Sequence, residues 1–62
     1  MKVIWYNTML EAYQFGTYIQ YQKVARTEPH NILALERLIN TPEKTIMKVV
    51  SELNKCRNRM SA

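Results

Sequence analysis

The segment NILALERLINTPEKTIMKVVSELN, Asn31 to Asn54, divides at Asn40-Thr41-Pro42 into two apolar runs. The second run places Ile46, Val49, Val50 and Leu53 at i, i+3, i+4 and i+7, one stripe of a helix. Thr41 or Asn40 supplies an N-cap, Pro42 suits a first turn that needs no N–H, and Glu43 complements the positive helix end. Lys44, Lys48, Ser51 and Lys55 fall on the other faces. The first run, with Leu35, Leu38 and Ile39, predicts a shorter helix over about 32–39. Asn31 caps it, and Asn40 takes the left-handed position that ends it. Two helices joined by a polar turn, the second spanning about 42–55 and basic on its outer face, predict a helix-turn-helix.

Upstream, residues 2–5 (Lys-Val-Ile-Trp) are too few for periodicity to separate a short strand from the lead-in to a helix. One long helix is expected from about residue 7 to 24. Asn7 or Thr8 is its cap, and Glu11, three residues after Thr8, fits a capping box. Gly16 lies inside that helix, where a glycine admits close approach of another helix at some cost in helix stability. Arg26-Thr-Glu-Pro-His30 is the break, because Pro29 holds Glu28 out of helical geometry. Residues 57–62 form a short polar tail that is expected to fray. The expected fold is therefore an all-α three-helix bundle, a single domain over 1–62, with a possible short N-terminal strand.

The chain has 62 residues, a formal net charge of +4 and 47% hydrophobic residues. That is enough apolar content to fold, but the core is marginal at this length, and domains of this size often gain stability by pairing. The basic balance suits nucleic acid or an acidic protein partner. The lone Cys56 gives no disulfide framework, and with the lone His30 it makes no metal site. No run has the length of a signal peptide or membrane span, so a cytoplasmic protein with no membrane partner is expected. No catalytic constellation and no glycine-rich phosphate loop is present, so neither an enzyme nor a cofactor is expected.

All six aromatics lie in the first 21 residues. Trp5, Tyr13 and Phe15 are candidates for the core beneath the later helices. The set Trp5, Tyr6, Phe15, Tyr18 and Tyr21 is the candidate dimer or partner interface, since amphipathic rings are favoured there.

Asn31-Ile32, Leu35, Leu38, Pro42 and Thr45-Ile46 resemble the centre of the small bacterial and phage winged helix-turn-helix family. The likeness covers about 25 residues. It departs at Asn40, where the family has glycine, at Glu43, where it has a basic residue, and after Cys56, where two wing strands do not fit. The resemblance implies a DNA-binding domain with its third helix in the major groove. Candidate DNA contacts are Lys44, Lys48, Lys55 and Arg57 on phosphates, with Thr45 and Ser51 near bases. The expected function is a small homodimeric DNA-binding transcriptional regulator. The alternative is a small phage-type protein-interaction module, an adaptor or inhibitor.

Overall fold

Val3-Ile4-Trp5-Tyr6 is a run of β-branched and aromatic residues, the types that pack best on a pleated surface. In the computed structural model it forms strand β1, Lys2–Asn7. The structure describes residues 1–61, with side chains through residue 58, so Ala62 of the expected tail lies outside the described residues. Asn7 ends β1 and makes the turn. Its Oδ1 accepts the N–H groups of Met9 (3.0 Å) and Leu10 (3.2 Å), and Glu11 takes a φ of 53°. The chain returns as β2, Ala12–Thr17, antiparallel to β1, with Asn7 opposite Ala12 and Lys2 opposite Thr17.

Thr17 then caps helix α1, Tyr18–Thr27, with a reciprocal capping box. Gln20 N–H donates to Thr17 Oγ1 (3.2 Å), and Thr17 N–H donates to Gln20 Oε1 (2.8 Å). After the Pro29 turn, β3, Ile32–Leu38, runs antiparallel to β1 on its other side. Asn40, at φ 57°, redirects the chain into α2, Glu43–Ser61, where the Pro42 carbonyl accepts the first N–H bonds. The sheet order is β2-β1-β3. β2 and β3 are thus parallel to each other, joined by α1 crossing one face of the sheet.

Alternation along β1 divides the core in two. Val3 and Trp5 point to one face, where with Ile32 they meet Tyr18, Tyr21, Val24 and Ala25, all of α1. Ile4 points to the other and packs with Ile46 and Val50 of α2, flanked by Tyr13, Phe15, Leu38 and Leu53. A strand covered on both faces carries an unbroken apolar run, which explains the sequence of β1.

The all-α three-helix bundle and the helix-turn-helix are therefore corrected to a three-stranded antiparallel sheet with a helix on each face. The expected helix over 7–24 is a hairpin followed by α1. Its first half is held in strand by pairing with β1 and by a turn built on the Asn7 side chain. The expected helix over 32–39 is β3. Leu33, Ala34, Leu35, Glu36 and Arg37 are good helix formers, but pairing with β1 overrides that preference. The strand alternative for residues 2–5 holds. The third expected helix is present and continues through residues read as a polar tail, to Ser61.

Candidate functional site

The α2 stripe of Ile46, Val50 and Leu53 faces the sheet. Helical geometry then directs Lys44, Lys48, Ser51 and Lys55 away from it, and all four are exposed. Thr45 is exposed on a flank. Lys55 Nζ lies 3.7 Å from a Glu52 carboxylate oxygen, both groups largely in solvent, so the pair adds little stability. Arg57 is not on this face. Its Nε donates to the Tyr6 hydroxyl (2.8 Å), and its guanidinium stands 5.7 Å from the Tyr6 ring centroid. It also approaches the Glu11 carboxylate at 3.5 Å. Arg57 thus ties α2 to the β1–β2 hairpin.

The aromatic set is distributed through both cores. Trp5 is buried, stacks at a tilt on Tyr21 (5.9 Å between centroids), and donates its indole N–H to Gln14 Oε1 (3.0 Å). Tyr18 packs on the same cluster and carries the Arg37 guanidinium over its ring at 5.4 Å. Tyr6 meets Tyr13 edge to face (4.9 Å), and Phe15 packs against the α2 core. These five side chains form no single exposed patch.

The two sheet edges differ. On β2, the Asn54 side chain accepts from the Tyr13 N–H (2.7 Å) and donates to the Tyr13 carbonyl (3.2 Å). One amide thus does at Tyr13, next to the first residue of β2, what a fourth strand would do, and at the other end of the strand Gln20 Oε1 takes the Thr17 N–H (2.8 Å). On β3, among the described residues, no side chain bonds the backbone. Even-numbered β1 residues turn their polar groups to β3, as the bond from Thr8 N–H to Asn31 O (2.8 Å) marks. The antiparallel alternation then places the N–H and C=O of Ile32 and Ala34, opposite Asn7 and Trp5, on the open side. A bulge between Ile4 and Trp5 accommodates Leu35 as the extra residue.

Because α2 approaches β2 most closely, it leaves the β3 part of its face uncovered. Leu33 is 53% exposed, Leu35 51%, and Ile39, just past the strand, 72%. On α2 a shallow apolar hollow of about 320 Å³ is lined by Val49, Leu53 and Cys56, with Lys48 and Glu52. An uncapped edge flanked by exposed aliphatics is the feature the sequence reading missed. The apolar spacing of residues 32–39 places Leu35 on the inner side of a helix. The available signal was weak, since Ile32 to Leu38 has neither turn residues nor strict alternation.

No family model, curated protein or solved structure matches this chain. Among the described residues no helix is long and apolar enough to cross a membrane.

Proposed function

We propose that the chain is a small protein-interaction module whose working surface is the β3 side. The observation that carries this is the asymmetry of the sheet: Asn54 occupies the β2 edge at Tyr13 and Gln20 takes the Thr17 N–H, while among the described residues no side chain bonds the β3 edge, which is bordered by Leu33, Leu35 and Ile39. An open edge offers directional main-chain bonds and adjacent side-chain contacts, the two elements of strand addition. A photo-crosslinking amino acid placed at position 35, with one at position 23 on the outer side of α1 as control, tests it in cells that express the chain. Discrete protein adducts at 35, copies of the chain included, and none at 23 are expected. Equal or absent adducts at both positions would remove the reading.

A second reading keeps duplex DNA as the ligand, without a helix-turn-helix. It is favoured by the common outward face of Lys44, Lys48 and Lys55 on α2. Lysines so placed neutralise phosphates, and binding would weaken steeply with salt. Fluorescence anisotropy with a random-sequence duplex, on the wild type and the Lys44→Ala/Lys48→Ala variant, decides it. Absence of binding at low salt excludes it.

A further inference from the structure

We infer that the occupant of the β3 side is a second copy of this chain, the two β3 strands pairing antiparallel about Leu33 into one six-stranded sheet. This rests on the reading of β3 as the working edge and names its partner.

Surface area is the first argument. The chain exposes 4751 Å², whereas a folded monomer of its 7.4 kDa mass exposes about 4200 Å² by the usual scaling. Leu33, Leu35 and Ile39 beside β3 are among its exposed large aliphatics. Shape is the second. The molecule measures 34 × 28 × 12 Å, and the short dimension matches two inter-strand spacings of about 4.8 Å each. The helices therefore stack above and below a narrow sheet, and the β3 edge lies along a broad side. That side has room for the ~800 Å² that each partner contributes to a stable interface.

Register is the third. A two-fold axis at Leu33 sets Ile32 opposite Ala34 of the second copy, and Ala34 opposite its Ile32. These are the residues whose N–H and C=O point outward, so each pair exchanges two bonds. Leu33 then faces Leu33 of the second copy across a non-hydrogen-bonded site, where side chains stand closest. The ladder stops at the Leu35 bulge. Beyond it, Glu36 and Arg37 come toward the Glu28-Pro29-His30 turn of the second copy, which brings Arg37 near an opposite charge. An extended peptide of another sequence would meet the same short ladder without the Leu33 pair or the two Arg37–Glu28 approaches beyond the bulge. A symmetric pair makes each contact twice.

Analytical ultracentrifugation of the full chain over micromolar to millimolar concentration should show a species of twice 7.4 kDa. Leu33→Lys should remain monomeric with an unchanged far-ultraviolet circular dichroism spectrum, because Leu33 is half in solvent in the single chain, and its melting temperature should lack the concentration dependence that pairing gives the parent chain. In a Cys56→Ser background, Leu33→Cys should form an inter-chain disulfide with oxidised glutathione. Opposed non-hydrogen-bonded positions bring Cα atoms to about 4.5 Å, within disulfide reach. Leu10→Cys in the same background, on the exposed hairpin turn, should stay largely reduced. A monomer at every concentration overturns the second copy. If position 35 still crosslinks to another protein, the interaction reading survives that failure; if it captures nothing, both fall. A dimer unaffected by Leu33→Lys, with no Leu33→Cys disulfide, overturns the register.

Discussion

Among the described residues Asn7 is the one buried polar side chain, and both ends of its amide are used. Its Oδ1 holds two turn N–H groups, and its Nδ2 donates to Gln14 Oε1 (3.3 Å), which also accepts the Trp5 indole. Asn7→Ala leaves those donors without a protein partner, at an expected cost of about 1–3 kcal/mol, read from urea unfolding. Asn7→Asp keeps the acceptor for the turn and should cost less. Gly16 is constrained by space. A Cβ there would lie 2.5 Å from Gln20 Oε1 and 3.1 Å from the edge of the Trp5 ring. Gly16→Ala must displace the capping glutamine or the indole, with an expected loss of about 1–3 kcal/mol and a shift in Trp5 fluorescence. The expected place of Gly16, inside a long helix, is corrected to strand β2, where its close neighbours are Gln20 of α1 and the Trp5 ring of β1. Asn40 takes the expected left-handed backbone, but after a strand.

Elements were legible where their own residues decide them. α2 has a cap region, a proline, an acidic first turn and a continuous apolar stripe, so local and tertiary preferences agree. Ile46→Ala should remove about 2–5 kcal/mol, because Ile46 is fully buried against Ile4; thermal melting checks this. α1 was legible only from Tyr18 onward. Its true cap is Thr17, and Thr17→Ala should cost about 1 kcal/mol. The β1–β2 hairpin was hidden because its turn has no glycine or proline: a side chain and a left-handed glutamate take their place. β3 was hidden because its residues favour helix and its strand geometry comes from β1, a contact remote in sequence. The candidate site inherited that loss. The lysine face of α2 was placed correctly because it belongs to a locally specified helix, whereas the open edge exists only once β1 is paired on both sides.

At the scale of the molecule, two small cores share one strand. Val3 and Ile4 are adjacent residues, yet they belong to opposite clusters. Neither helix can keep its core once β1 leaves the sheet. Unfolding should therefore be a single transition: Trp5 fluorescence, which reports the α1 side, and far-ultraviolet circular dichroism, dominated by the longer α2, should share one urea midpoint. Separate midpoints would mean that α2 detaches from an intact α1 layer. The occupation of the β2 edge by Asn54 also has a consequence for assembly. A sheet with one blocked and one available border has a valence of one: strand-wise growth terminates after a single addition and does not run on into a filament. The lone amide of Asn54 thus acts as a chain stopper. Its removal, in Asn54→Ala, is expected to turn a self-limiting association into open-ended polymerisation, visible as rising light scattering at concentrations where the parent chain stays clear.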